Sequence, residues 1–189
     1  MLIVGFGNKA QHGKDTAGEA VVKYFNRRTE RLSAHYGRGI GACRSIIAKS
    51  YKFAGALYKE CRKQHGMTDK DAPLLQKVGM ARRQEDENYW VKQVKQQIAT
   101  DKPDIAIITD VRFPNEAKFV RDRGGILVNV TRIDAFGQLF IADDRPADHP
   151  SETALDGYPW SYYIKAHTGE APLVEQLAIC IVEFERARR

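Results

Sequence analysis

The residues best suited to chemistry lie near the start of the chain, where glycines, a lysine and an aspartate follow a short apolar run. Residues 5–16 read GFGNKAQHGKDT. When such a segment joins a strand to a helix, its backbone N–H groups can surround a phosphate, and the lysine reaches the β- and γ-phosphates. We therefore predict a Walker A phosphate loop. The residues predicted to bind ATP here are Gly13, Lys14, Asp15 and Thr16.

Two positions of this loop depart from the general Walker A pattern. Asn8 stands where the first glycine is expected, but asparagine tolerates a positive φ better than most residues, so we expect the turn to be kept. Asp15 stands where a Ser or Thr hydroxyl usually binds Mg²⁺. Whether Asp15 or Thr16 orients the metal is left open by the sequence.

Two other interpretations of the loop remain. One is a glycine-rich turn without a ligand. The other is a dinucleotide-binding loop built on Gly5, Gly7 and Ala10. That second register would place Gly13 inside a helix, at a cost of about 1 kcal/mol, and would give Lys14 no role.

A carboxylate suited to metal binding follows a second apolar run. Residues 104–109 read DIAIIT and lead into Asp110. The carboxyl ends of parallel strands are where α/β folds bind ligands, and Walker B aspartates at such positions orient Mg²⁺, often through water. We predict that Asp110 is catalytic and binds the metal together with Asp15. A helix-capping role is the alternative for Asp110.

Several arginines are candidates for binding phosphate. Arg112 can clamp an acceptor phosphate with two parallel hydrogen bonds. Arg82 and Arg83 close a predicted helix and are either acceptor-binding residues or a surface cluster. Arg132 and Arg145 flank a polar segment and, as lid arginines, would offset the charge of the transferred phosphoryl group. The predicted catalytic residues are Lys14, Asp110, Arg112 and Arg145, and Arg132 is predicted to bind ATP.

Two aromatic and polar motifs have open interpretations. Trp90 either stacks on an acceptor base or packs in the core, and it remains a candidate for acceptor binding. The segment 149–152, HPSE, predicts a turn followed by a helix start, with Ser151 as the helix N-cap.

These residues must be positioned by alternating strands and helices, which predict an α/β sandwich with a mainly parallel sheet. Residues 31–41 are predicted to form a loop, and the polar residues 134–157 a mobile insertion. The predicted strands lie near 2–6, 49–53, 104–109, 126–131 and 162–165. The predicted helices lie near 16–28, 54–64, 74–82, 88–99, 114–123 and 172–187.

Composition narrows the classes of function. Of the 189 residues, 43% are hydrophobic, and no apolar run approaches the roughly 20 residues that span a bilayer. The opening MLIV reads as a strand and not as a signal peptide. Three cysteines without paired spacing predict neither a disulfide framework nor a zinc site, which favours the cytoplasm. The net charge of +6 suits nucleic acid or phosphorylated small molecules.

Several segments together resemble the phage deoxynucleoside monophosphate kinases, a branch of the nucleoside-monophosphate kinase family. The stretches 109–117 (TDVRFPNEA) and 149–152 (HPSE) are the most specific in combination. The aspartate after the loop lysine also resembles that family, in which this position looks to be an aspartate. The other resembling segments are 13–16 (GKDT), 53–54 (FA) with Leu57 and 59–60 (KE), 74–76 (LLQ) and 89–91 (YWV).

The resemblance implies transfer of the ATP γ-phosphate to a deoxynucleoside 5′-monophosphate (dNMP), with Mg²⁺. It also implies a single three-layer P-loop kinase domain over 1–189, with an acceptor-binding helical region at about 32–99 and a small lid at about 134–157. Within the acceptor region it adds Gln76 to the candidates. Asn8, and Ala166 where an Asn is expected, depart from the family pattern, and the preferred base is not implied.

Two rival functions stay open. The first rival is a small-metabolite kinase. The Gly-Lys-Asp loop also resembles that of animal phosphomevalonate kinases, and dephospho-CoA kinases share the implied fold. A nucleic-acid-associated phage ATPase is the second, although no DNA- or RNA-binding motif is visible and nucleic acid is not an expected partner. The sequence leaves the oligomeric state open, a homodimer included.

Overall fold

A computed structural model describes residues 1–36 (side chains to residue 28), 46–142 and 146–189 of the chain. The strands are β1 (Leu2–Gly7), β2 (Ala48–Tyr51), β3 (Ile105–Val111), β4 (Ile126–Ile133) and β5 (Tyr162–His167). The helices are α1 (Lys14–Tyr36), α2 (Phe53–His65), α3 (Ala72–Glu85), α4 (Tyr89–Asp101), α5 (Pro114–Arg121), α6 (Pro150–Thr153) and α7 (Ala171–Ala187).

The five strands form one sheet in the order β2-β3-β1-β4-β5, and all four neighbouring pairs are parallel. Strands β1 and β3 are buried over nearly their whole length, which is expected because helices cover both faces of such a sheet. The carboxyl ends of β1, β2 and β3 therefore meet at one edge. The loop at 8–13 and the residues Lys52 and Asp110 lie at this edge.

Helices pack on both faces of the sheet and create two separate cores. On one face, α1 and α7 each present a buried residue at every fourth position, as an amphipathic helix does. The other face is covered mainly by α4 and α5, which pack around Trp90, Val94 and Phe119. The buried residues of the first face include Ala17, Val21 and Phe25 of α1 and Val174, Ala178 and Val182 of α7.

A smaller third cluster lies away from the sheet. Cys61 of α2, Met67 and two residues of α3, Leu75 and Val78, pack together, with Leu57 against them. Helices α2, α3 and α4 all belong to the connection between β2 and β3. The chain thus builds a helical region beside the sheet edge where the predicted phosphate loop lies.

The predicted three-layer α/β fold with a parallel sheet is confirmed, and every predicted strand and helix has a counterpart. One predicted element was wrong, since residues 31–36 continue α1 instead of forming a loop. The predicted turn and helix start at 149–152 correspond to the short helix α6, and the mobility of residues 134–157 stays a prediction. Residues 37–45 lie outside the described part of the chain. Among the described helices, none combines the length and hydropathy needed to cross a membrane.

Candidate functional site

The loop between β1 and α1, residues 8–13, is called the phosphate loop after its predicted role, and its backbone turns sharply at three residues. Asn8, Gln11 and Gly13 have positive φ values of 106°, 58° and 88°. The side-chain amide of Asn8 also donates to Thr131 Oγ1 at 2.9 Å and to Asn129 Oδ1 at 3.1 Å, which attaches the loop to β4. The turn expected at Asn8 is therefore present, and the asparagine adds a contact that glycine could not make.

His12 fixes the other side of the loop, a role that the sequence did not indicate. Its imidazole is buried, and burial lowers the pKa of His12 below its ordinary value. Nδ1 accepts the backbone N–H of Arg132 at 3.3 Å, so the proton resides on Nε2, 3.0 Å from the carbonyl oxygen of Phe140. A neutral histidine thus ties the phosphate loop to β4 and to the segment that follows it.

Lys14 begins α1 and is almost completely buried, with 6% of its surface exposed. Its ammonium group donates to the carbonyl oxygen of Lys9. Burial, and next the positive charge of Arg112, lower the pKa of Lys14 to about 7. A phosphate anion beside Nζ would favour the charged form of this lysine.

Asp15 lies against the end of β3, where its carboxylate accepts from two donors. Its Oδ1 accepts from Thr109 Oγ1 at 2.6 Å and from Lys52 Nζ at 2.7 Å. Although burial acts in the opposite direction, these hydrogen bonds keep the pKa of Asp15 below its ordinary value. Gly18 permits the close packing of α1 on β3, because a Cβ there would lie 2.3 Å from Thr109 Cγ2.

Asp110 fixes the start of helix α2. Its two carboxylate oxygens accept the backbone N–H groups of Phe53 at 2.9 Å and Ala54 at 2.8 Å. Burial raises the pKa of Asp110. The capping alternative considered for this residue is thus present, although the helix it caps is α2 and not the helix that follows β3. The predicted metal role of Asp110 stays a prediction.

Glu116 forms a buried polar centre beneath the arginines. Its Oε2 accepts the backbone N–H groups of Arg112 and Phe113, and its Oε1 accepts from Arg83 Nη2 at 3.2 Å. Burial, and next the nearby Asp110, raise the pKa of Glu116 to about 7. Arg83 also lies over the Phe113 ring, 4.2 Å from its centroid. The only sequence signal for Glu116 was its place in the run TDVRFPNEA.

Glu152 of α6 connects Arg112 to the phosphate loop. Its Nη1 donates to Glu152 Oε1 at 2.5 Å, while Glu152 Oε2 accepts the backbone N–H of Ala10 at 2.7 Å. The N-cap of α6 is His149, whose side chain accepts the N–H of Ser151, so the prediction of Ser151 as N-cap was wrong. The short run HPSE was the only sequence signal for Glu152.

These groups surround a cavity of about 570 Å³. One half consists of the phosphate loop, with residues 11–16, and the other of helices α2 and α3. Its lining includes the cations Lys14, Lys52, Lys70, Arg83 and Arg112 and the carboxylates Asp15 and Asp110. The cavity therefore offers an excess of positive charge to a phosphorylated ligand.

The structure separates the predicted acceptor-binding residues. Gln76 and Arg83 line the cavity. Arg82 is turned away, toward Glu60 at 2.8 Å and Glu85 at 3.0 Å. Trp90 is buried behind the cavity wall, where its Nε1 donates to the carbonyl oxygen of Gly79 at 3.3 Å.

Arg132 lies on the opposite side of the phosphate loop. It stacks on Phe140, with 3.8 Å from Cζ to the ring centroid, and its Nε donates to Thr168 Oγ1 at 2.9 Å. A second cavity of about 270 Å³ lies between it and the start of α7, and Ala166 contributes to its lining. Arg145, the other predicted lid arginine, lies outside the described residues.

The residues present fit a magnesium ion bound mainly by substrate and water. In the described part of the chain, no group of three or more His, Cys, Asp or Glu residues is arranged to hold a metal. Asp15, Thr16 and Asp110 line the same cavity. Mg²⁺ in phosphoryl-transfer sites is usually held by one or two carboxylates together with substrate phosphates and waters.

Comparison with curated proteins finds a relative among phage enzymes. The chain is 40% identical to the deoxynucleoside-5′-monophosphate kinase of Escherichia phage T5 over an alignment of 89 residues. This alignment covers 43% of the chain and 33% of the phage T5 protein. No family model matches the chain. The resemblance to phage deoxynucleoside monophosphate kinases is thus confirmed for part of the chain.

Proposed function

We propose that this protein is a deoxynucleoside monophosphate kinase, which transfers the γ-phosphate of ATP to a dNMP and yields ADP and a dNDP. One observation carries the proposal. The phosphate loop lines one side of a basic cavity, and helices α2 and α3, with Arg83, line the other side. A phosphate donor and a phosphate-bearing acceptor can both lie in such a cavity. The relative from phage T5 supports this acceptor class.

The reaction needs little covalent participation by the protein. An oxygen of the acceptor phosphate bonds to the γ-phosphorus while the bond from that phosphorus to the β,γ-bridging oxygen breaks, and ADP leaves. Catalysis of such a transfer is mainly positioning and charge stabilisation. Lys14 binds the β- and γ-phosphates, and Arg112 lies beside it to stabilise charge on the transferred group.

The acceptor is held from the opposite half of the cavity. Arg83 binds its phosphate, since the Phe113 ring and Glu116 fix the guanidinium. Gln76 lies on the same helix α3 and faces the same cavity, where its amide contacts the nucleoside. In this proposal the helices α2 to α4 make up most of the acceptor region, and α6 belongs to the lid.

On the donor side, Arg132 is proposed to bind ATP. Its guanidinium is held between Phe140 and Thr168, beside the smaller cavity that adjoins residues 11–13 of the loop. Asp15 and Asp110 would hold Mg²⁺, directly or through water. When bound, the ion offsets the charge of the triphosphate.

The test is direct. The protein is incubated with ATP, Mg²⁺ and each dNMP in turn, and the nucleotide products are separated by chromatography. Formation of a dNDP together with ADP supports the proposal. Phosphorylation of phosphomevalonate or dephospho-CoA, without turnover of any dNMP, would favour a small-metabolite kinase. ATP hydrolysis that requires DNA would favour a nucleic-acid-associated ATPase.

A further inference from the structure

Glu152 is a buried carboxylate located between the phosphate loop and an arginine of the cavity. Only 6% of its side chain is exposed. One carboxylate oxygen accepts from the backbone N–H of Ala10 at 2.7 Å, and the other from Arg112 Nη1 at 2.5 Å. Ser151 Oγ lies 3.2 Å from the same Oε1. Glu152 therefore uses both oxygens to join parts of the site that are distant in the sequence.

The position of Arg112 is stabilised by such a partner. The positive charge of Arg112 acts on Lys14, since it contributes to the lowered pKa of that lysine. Two cations close together repel each other, most strongly where water is partly excluded. A charged hydrogen bond to Glu152 offsets this repulsion and fixes the guanidinium orientation.

The backbone of α6 is attached to the same loop independently. Lys9 Nζ donates to the carbonyl oxygen of Glu152 at 2.7 Å and to Asp156 Oδ1 at 3.0 Å. The carboxylate of Glu152 is thus not the only link that holds α6 in place. Its side chain can be changed while this second attachment remains.

We propose that Glu152 is a positioning residue, which holds the Arg112 guanidinium against the phosphate loop so that its remaining N–H groups face the transferred phosphoryl group. This inference rests on the proposed kinase function. A guanidinium has five N–H donors, so an Arg112 held through Nη1 keeps donors for phosphate oxygens. Glu152 thus acts on the reaction through Arg112 and not by touching substrate.

A double-mutant cycle tests this role. The proteins compared are the unchanged chain, Glu152→Gln, Arg112→Gln and the double variant, assayed with ATP, Mg²⁺ and the best dNMP. We expect Glu152→Gln to lower kcat/KM for the dNMP by about 10- to 100-fold, the effect of losing a charged hydrogen bond. In the Arg112→Gln background the same change should alter kcat/KM by less than about 2-fold.

Two measurements separate positioning from simple anchoring. The Kd for ATP, measured by equilibrium binding, should change by less than about 3-fold in Glu152→Gln, because the loop and Lys14 are retained. Asp156→Asn is the matched control, since it removes a carboxylate that faces Lys9 on the same segment, and it should leave kcat/KM unchanged. Glu152→Asp keeps the charge with a shorter reach and should show a smaller loss than Glu152→Gln.

The contrary outcomes are distinct. Equal losses from Glu152→Gln in both backgrounds would show that it acts independently of Arg112, and a fully active Glu152→Gln would overturn its role as well. If Glu152→Gln does not fold, Glu152→Asp replaces it in the cycle. A loss that is present with Arg112 and absent in the Arg112→Gln background supports the role, and equal losses in both backgrounds contradict it. An unchanged chain that phosphorylates no dNMP would overturn the proposed function itself, together with this inference.

Discussion

The two halves of the cavity are held in place by different means. The donor half is attached to the central sheet: α1 buries Ala17, Val21 and Phe25 completely, and the loop before it is bonded to β4 through Asn8. The acceptor half has its own small cluster around Cys61. Phe53 at the start of α2 also joins that half to the core on the sheet, and polar links add to this contact.

Under the proposed function, this difference predicts which substrate is affected by a change in each half. Changes in the donor half should affect all transfer, because the phosphate loop is part of the main core. The acceptor half depends on the ion pair between Arg83 and Glu116 and on the two amide hydrogen bonds to Asp110. Changes there should alter acceptor use while ATP binding is kept.

The largest effect is expected in the donor half. Lys14→Ala removes the cation that binds the β- and γ-phosphates and should lower kcat by about 1,000-fold. The fold should be kept, because burial already disfavours the charged form of this lysine. Enzyme assays and thermal unfolding check both statements. Lys23→Ala, an exposed change on the same helix, is the control, and a Lys14→Ala protein as active as that control would contradict the assignment.

The adjacent arginines of α3 give the sharpest test of the acceptor half. Arg83→Met should raise KM for the dNMP by about 10- to 100-fold through loss of a charged hydrogen bond, with KM for ATP nearly unchanged. Arg82→Met should have at least a tenfold smaller effect on KM, because Arg82 is turned toward Glu60. Steady-state kinetics with each substrate varied in turn measures both. Equal effects of the two changes would show that the cavity does not distinguish them.

The pH dependence of ATP binding should report on Lys14. With a pKa of about 7 in the free protein, Lys14 loses its proton as pH rises through neutrality, and ATP binding must then take up a proton. The Kd for Mg²⁺-ATP should therefore rise by about 30-fold between pH 6 and pH 8.5. Lys14→Arg stays charged and should have a flatter profile. The same slope in both proteins would assign the titration to another group.

The smallest effect on activity is expected for Trp90. Trp90→Phe removes a buried indole and its hydrogen bond to Gly79, so the free energy of unfolding should fall by about 1–2 kcal/mol. KM for the dNMP should change by less than about 3-fold, because the ring packs behind the cavity wall. Chemical denaturation and kinetics measure the two effects. A large rise in KM at unchanged stability would instead favour direct stacking on the acceptor base.

The fold was predictable because its signals are local. Apolar runs such as 104–109 correspond to buried strands, and the glycines and Lys14 correspond to the loop and the start of α1. The long α1 was missed because residues 31–41 contain glycines at 37, 39 and 41 together with polar residues, which predicts a loop, although the helix continues to residue 36 before the first of these glycines. The start of α6 was predicted from the run HPSE, although its N-cap is His149 and not Ser151.

The site was predictable only as a set of residue types. Strand position identified Asp110 as part of the site, but its bonds to the amides of residues 53 and 54 depend on tertiary structure. The same holds for His12, which is bonded to Phe140, 128 positions away, and for Glu152, whose partners Ala10 and Arg112 lie 142 and 40 positions away. No sequence signal distinguishes Arg82 from Arg83 as the residue that lines the cavity. The orientation of α3 decides it.

The position of α2, α3 and α4 between two neighbouring strands has a consequence for protein engineering. These helices form one continuous insert that leaves the sheet after β2 and returns at β3, so the insert can be exchanged without altering strand order. A graft must present two backbone amides to Asp110 and fill the core position of α4, and under the proposed function it is expected to change the preferred acceptor.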